Sequence, residues 1–267
     1  MQKSLSTRMA EAARDLVKAL RATETWLFLG WHDIRQRYRR SVLGPFWITI
    51  STAMLVGGLG VMYAGLFHMD VSHYIPYLAA GMITWNFMAA VITESCTVFM
   101  GAEGSIKSGQ IPISSYVLRL IWRNVIIFMH NAVVLIAVVL WFLPFKPLGL
   151  ALSVFGLFIT SIFLFWLALL VGLLSARFRD IPQIVANVLQ VVFFMTPIMW
   201  RADVLKHHIW IAKVNPFFYM LELVRNPLLG EAFNWHAWVG VAAVQVATIL
   251  VSFVFFSRFR SRIVYWL

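Results

Sequence analysis

Six apolar stretches govern what this chain can fold into: residues 44–67, 74–100, 116–142, 148–174, 184–200 and 237–256. At 1.5 Å of rise per residue, about 20 apolar residues in a helix cross the roughly 30 Å hydrocarbon core of a bilayer. Only 184–200 falls clearly short of that length. A helix satisfies its own backbone N–H and C=O groups, which lipid cannot do for it. Composition points the same way, with 12% charged and 61% hydrophobic residues. Soluble chains carry about 25% charge, so too little polar surface is available here to face water. The expected fold is an all-α polytopic membrane protein with six transmembrane helices. The single cysteine, Cys96, forms no internal disulfide, and no short repeat persists.

The net charge of +11 acquires its meaning from where the cations fall. Residues 1–43 have no early apolar core and no small-residue cleavage site, which places the N-terminus in the cytoplasm as an expectation. Alternating sides across six spans then puts seventeen of the 22 basic residues in cytoplasmic segments and five outside. That is a strong positive-inside bias, with both termini cytoplasmic. Topology and anionic headgroups account for the basicity, so nucleic acid is not an expected partner.

Two helical stripes precede the first span. Met9, Ala12, Ala13, Leu16, Val17 and Leu20 oppose Arg8, Glu11, Arg14, Asp15 and Lys18. Leu27, Trp31, Ile34 and Tyr38 then oppose Arg35, Arg37, Arg39 and Arg40. The second stripe reads as an amphipathic helix in the membrane interface, aromatic side down and arginines toward phosphates. A cytosolic helix packed on a partner is the alternative, and it weighs more for the first stripe. The chain divides into cytoplasmic and interfacial helices at 1–43 and a transmembrane domain at 44–267.

Between the last two spans, residues 201–236 are too polar to cross and too apolar for an ordinary loop. Phe217, Phe218, Met220, Leu221, Leu223 and Val224 make a short apolar helix between Asn215-Pro216 and Asn226-Pro227, with Glu222 and Arg225 one turn apart. A pair of short re-entrant helices beside an outer vestibule fits this pattern; a helix resting on the outer surface is the alternative.

Chemistry of its own is hard to find in the chain. Residues 101–108 look like a phosphate-binding loop, but Ile106 stands where glycine must precede Lys107. No metal-ligand set, nucleophile elbow or paired carboxylates emerge. Polarity inside the spans is more informative. A mid-depth carboxylate costs about 2.5–3.5 kcal/mol on insertion scales, so Glu94 should face protein or water, with Arg119 and Arg123 as partners, or else sit at the cytoplasmic interface. Asn124, His130, Asn131 and Gln190 read as interhelical hydrogen bonders. Trp and Tyr can stack on sugar rings or form an interfacial belt; Trp26, Trp31, Trp47, Trp85, Trp200, Trp210 and Trp235 are placed near span ends, which favours the belt.

The run from Trp31 to Trp47, with His32-Asp33-Ile34-Arg35-Gln36-Arg37-Tyr38-Arg39-Arg40 and Gly44-Pro45-Phe46, resembles the approach to the first span in type-2 ABC-transporter permeases that export polysaccharide. Ile111-Pro112-Ile113, Arg179-Asp180-Ile181, Thr196-Pro197-Ile198, Asn215-Pro216-Phe217 and Arg225 follow in the family's order. The closing Tyr265-Trp266-Leu267 resembles the O-antigen (lipopolysaccharide) branch. The resemblance covers nearly the whole chain.

That resemblance implies a second copy of the chain and two copies of a separate nucleotide-binding subunit. ATP and Mg²⁺ would be held by that ATPase, and this transport subunit would carry no cofactor and no catalytic residue. It places a coupling loop at 101–115, with Ile106, Lys107, Ile111 and Pro112 toward the ATPase; many relatives have Phe-Pro where this chain has Ile111-Pro112. It places Arg35, Arg37, Arg39 and Arg40 beside a lateral portal for a lipid pyrophosphate. Channel or gate candidates are Glu94, Arg119, Arg123, Trp85, Phe193, Phe194, Phe217, Phe218, Tyr219, Glu222 and Arg225. The expected function is export of lipid-linked polysaccharide, most readily O-antigen, across the bacterial inner membrane. Capsular polysaccharide, teichoic acid, and drugs or small lipids remain open as substrates.

Overall fold

The computed structural model describes residues 4–39, 44, 46–66, 68–201, 210–231 and 235–267. Among these the secondary structure is entirely helical: α1 (Leu5–Arg21), α2 (Thr23–Arg37), α3 (Phe46–Leu66), α4 (Val71–Ser95), α5 (Glu103–Ser108), α6 (Ile113–Phe142), α7 (Pro147–Arg177), α8 (Ile181–Met195), α9 (Trp210–Lys213), α10 (Pro216–Leu229), α11 (Trp235–Phe259) and α12 (Ile263–Trp266). Single 3-10 turns at Met100–Ala102 and Arg260–Arg262 lead into α5 and α12.

Five helical segments among the described residues are long and apolar enough to cross a membrane: α3, α4, α6, α7 and the run Ala237–Trp266. The expected span at 184–200 differs. Its helix α8 has 15 residues, about 22 Å, and ends at Met195. Pro197 supplies the reason, since it lacks an N–H and disfavours helical backbone at the residue before it. Residues 196–200 therefore run as non-helical backbone.

Helix α4 is the hub. Its most apolar window is 83% buried, against 11% for α3 and 17% for the Ala237–Trp266 run. It packs against α3, α6, α7, α8 and α10. Polar side chains stitch α3 to α6, where Thr52 donates to Asn131 (3.0 Å) and Thr49 to the His130 carbonyl (3.2 Å). Gln190, expected to bond between helices, instead lies exposed on α8.

A stripe of small residues on α7 lets α10 approach at backbone distance. Ser153 donates to the Val224 carbonyl (2.6 Å). A Cβ on Gly149 or Gly156 would fall inside van der Waals contact of the Pro227 and Leu223 carbonyl oxygens. Small residues at such spacing are how helices in lipid gain dispersion contacts. The pairing of Thr160 with Met220, Gly156 with Leu223 and Gly149 with Pro227 fixes the direction of α10. It starts beside Phe163, partway along α7, and ends level with the start of α7. Phe163 lies about 24 Å along α7. The helix also runs through Asn226-Pro227 to Gly230 rather than stopping there.

On the other side of the bundle, α1 packs against α6 and α11, and α2 lies along α6. A Cβ on Gly30 would meet the Trp122 ring at 2.8 Å, so α2 lies tight on α6. The first stripe is oriented differently from the expectation. The buried face of α1 is Ala12, Asp15 and Ala19, while Met9, Val17 and Leu20 are exposed. The sequence pattern puts Asp15 on the polar side; it is buried because four donors converge on its carboxylate.

Candidate functional site

Where α2 crosses the ends of α4 and α6, six polar side chains join the three helices. Glu94 of α4 accepts from Arg123 (2.6 Å), Asn124 (2.8 Å) and Arg37 (3.1 Å). Asp33 of α2 accepts from Arg119 through a two-pronged contact and from Arg123 at 3.2 Å. Arg123 thus bridges both carboxylates. The expected pairing of Glu94 with Arg123 holds, whereas Arg119 pairs with Asp33. Burial tends to raise the Asp33 pKa, but hydrogen bonding and charge from Arg119, then Arg123, outweigh it and hold the carboxyl below its ordinary value. A cavity of about 170 Å³ opens beside the network, lined by Glu94, Thr97, Tyr116, Arg119 and Arg123.

The arginines of α2 part company around this network. Arg37 turns inward to Glu94. Arg35 and Arg39 instead border a groove of about 630 Å³ with Trp31, His32, Gln36, Tyr38 and Gly44. Two guanidinium groups beside an aromatic ring suit a phosphate-bearing lipid, because arginine binds phosphate oxygens in pairs while the aromatic surface accepts apolar chain. Arg40 lies outside the described residues.

Next along the chain, α5 is one short helix ended by Gly109 in the left-handed region (φ 68°), where glycine carries no Cβ penalty. Its Ile106 is 4% exposed and anchors the segment in the core. Lys107 lies on the outer side, bonded to Glu103 at 2.5 Å. The Tyr116 hydroxyl donates to Ser105 Oγ (2.6 Å), tying α5 to α6. Ile111 and Pro112 are half-buried at the start of α6.

At the opposite end, the non-helical backbone after α8 is held by side chains. Tyr74 donates to the Met199 carbonyl (2.5 Å), Tyr77 to those of Pro197 (3.0 Å) and Trp200 (2.9 Å), and Arg225 to Pro197 (2.6 Å). Asn215 bonds Thr196 (2.7 Å) while capping α10 through the Phe217 N–H (3.0 Å). Below this lies an aromatic cluster. Trp85 meets Phe193 and Phe217 at 5.7 and 5.9 Å between ring centres, and Phe163 meets Phe217 at 5.9 Å. Trp85 is therefore buried mid-helix and not part of an interfacial belt. Phe218 is buried beside half-buried Tyr219, and Phe194 is exposed. Glu222 lines a cavity of about 270 Å³ with Lys146, Asn226 and Glu231.

Comparison with known proteins gives this geometry a setting. The model of the ABC-2 type transporter family matches residues 24–229, from α2 through α10. The chain belongs to the ABC-2 type transporter family. Two curated relatives, both O-antigen export system permease protein RfbA of Klebsiella pneumoniae, are each 22% identical over 215 residues, covering 76% of this chain and 79% of theirs. As an ABC-2 permease the chain is a multi-pass membrane transport component.

Within the ABC-2 region, the structure gathers Glu94, Arg119, Arg123 and Arg37 at one end and Trp85, Phe193 and Phe217 in the interior, while Glu222 lines a cavity and Arg225 donates to the Pro197 carbonyl. Three residues escaped the sequence reading. Asp33 is hidden in the sequence among basic neighbours, although an acid amid arginines facing two further arginines signals a pair. Tyr74 and Tyr77 hold backbone that hydropathy had counted as helix, so nothing marked them.

Proposed function

We propose that this ABC-2 permease is the membrane subunit of an ATP-driven exporter of lipid-linked polysaccharide, O-antigen in the first instance. Two copies would pair with two copies of a separate ABC ATPase that holds ATP and Mg²⁺, in the inner membrane of a bacterium. The observation that carries this reading is the similarity to O-antigen export permeases over 76% of the chain, inside a family match spanning 24–229.

In this reading α8 and the backbone through Trp200 form the fifth of six spans, both termini are cytoplasmic, and residues 1–43 precede a transmembrane domain at 44–267. The start of α10 partway along α7 supports a re-entrant arm. Irregular backbone within a membrane survives when protein satisfies it, as Tyr74, Tyr77 and Arg225 do here. Lipid pyrophosphate would dock at Arg35 and Arg39, with Arg40 adjoining in sequence. The exposed side of α5 around Lys107, with Ile111 and Pro112, would meet the ATPase, and Ile106 would carry its motion inward. Trp85, Phe193, Phe194, Phe217, Phe218 and Tyr219 would border the glycan path, offering many weak contacts so that the polymer is not held fast.

The test is to delete the gene, complement it, and locate lipid-linked polysaccharide relative to the inner membrane. Polymer trapped on the cytoplasmic side and released by the intact gene supports export and names the sugar. Normal surface polysaccharide in the deletion overturns the polysaccharide reading.

A further inference from the structure

The most densely bonded carboxylate among the described residues lies outside the matched family region. Asp15 of α1 has a side chain 2% exposed, and each of its oxygens takes two donors. Oδ1 accepts from the Ser114 N–H (3.0 Å) and hydroxyl (2.6 Å); Oδ2 accepts from the Ile113 N–H (3.2 Å) and Arg260 Nε (3.0 Å). Ile113 and Ser114 open α6, whose N-cap is Pro112, with no side-chain cap of its own. Asp15 therefore caps α6 from another helix, satisfying N–H groups that have no intrahelical partner and placing a negative charge at the positive end of the helix dipole. The same carboxylate neutralises Arg260, in the turn after α11. From there α12 packs back against α5, and Ile263 of α12, fully buried, joins Ile106 of α5 in the core. The contacts close a ring: α5, the start of α6, Asp15, the Arg260 turn, α12 and α5 again.

We propose that Asp15 is a positioning residue of the transport cycle, clamping the first turn of α6 to the turn after α11 so that a displacement of α5 moves α6 and α11 as one body. The role in transport rests on the reading of α5 as the ATPase-facing segment; the clamp itself does not.

Two measurements on the full chain separate these layers. The first is hydrogen exchange of the purified protein in nanodiscs, comparing wild type with Arg260→Gln. Loss of the clamp raises exchange at residues 113–116, far along the chain from the substitution, and leaves α3 and α7 unchanged. Exchange that stays unchanged at 113–116, or rises uniformly, overturns the clamp. The second uses the permease–ATPase complex, reading surface polysaccharide exported per ATP hydrolysed. Asp15→Asn and Arg260→Gln should each lower that ratio about fivefold or more, their double variant no further, and Arg260→Lys should retain it. Equal loss of ATPase activity and export, or multiplying effects in the double variant, overturns the positioning role. A wild-type complex that hydrolyses ATP without exporting glycan overturns the export reading, and the exchange result then judges the clamp alone.

Discussion

The guanidinium of Arg225 stands 4.0 Å over the ring of Tyr77, and both side chains donate to one acceptor, the Pro197 carbonyl, at 2.6 and 3.0 Å. A cation on α10 and a phenol on α4 thus hold the backbone that leaves α8. Without them, carbonyl groups in an apolar interior would lose their donors, and a buried unsatisfied polar group costs about 1–3 kcal/mol.

Replacing either partner should loosen this segment. Tyr77→Phe removes two hydrogen bonds while keeping the ring under Arg225, and should cost about 1–3 kcal/mol. Arg225→Ala removes the hydrogen bond and the cation–π contact together and should cost more. Thermal unfolding of the purified permease checks the order; an Arg225→Ala protein as stable as wild type would contradict the anchoring role.

The packing of α10 on α7 makes a sharper prediction. Gly156→Ala sets a methyl group against the Leu223 carbonyl, a backbone atom that cannot rotate away, and should destabilise by about 1–3 kcal/mol. Gly58→Ala on α3 has open space within 4 Å and should be neutral or stabilising by a few tenths of a kcal/mol or more. Yield and melting temperature of the two variants read the contrast, and similar behaviour would show that α10 does not sit at backbone distance.

The apolar stretches 44–67, 116–142 and 148–174 coincide within a few residues with the helices Phe46–Leu66, Ile113–Phe142 and Pro147–Arg177, because a long apolar run favours one unbroken helix. Hydropathy could not see that 196–200 leaves the helix, because the donors that make this tolerable, Tyr74, Tyr77 and Arg225, lie far away in sequence. Asp15 shows the same limit. On α1 alone a carboxylate belongs to the polar face, and its burial is tolerated because Ile113, Ser114 and Arg260, far along the chain, donate to it. The Glu94–Arg123 pair was legible, since two arginines one turn apart at a neighbouring span end leave a carboxylate few other partners.

Asp33 gives a pH prediction. Its carboxyl is held below the ordinary value of 3.8 by Arg119 and Arg123. A depressed folded-state pKa stabilises the charged form, so the contribution is fully present above the ordinary value and is lost as pH falls through the depressed one. The stability difference between wild type and Asp33→Asn should be flat from about pH 7 to pH 5 and shrink below about pH 4. Chemical unfolding at stepped pH measures it; a difference that grows toward acid would reverse the sign and refute the pairing.

The arginines of α2 should divide by function as they divide in space. Arg35 and Arg39 border the open groove, whereas Arg37 is committed to Glu94. If the groove receives a lipid pyrophosphate, Arg35→Ala with Arg39→Ala removes its charge-assisted hydrogen bonds, each worth about 1.5–3 kcal/mol. Export should fall at least about tenfold while melting temperature holds. Arg37→Ala should do the reverse, lowering stability by up to about 1 kcal/mol for a half-exposed pair with a smaller effect on export. Surface polysaccharide and melting temperature measured on the same variants separate the two roles. Export undiminished in the Arg35 and Arg39 double variant would remove the groove from the transport path.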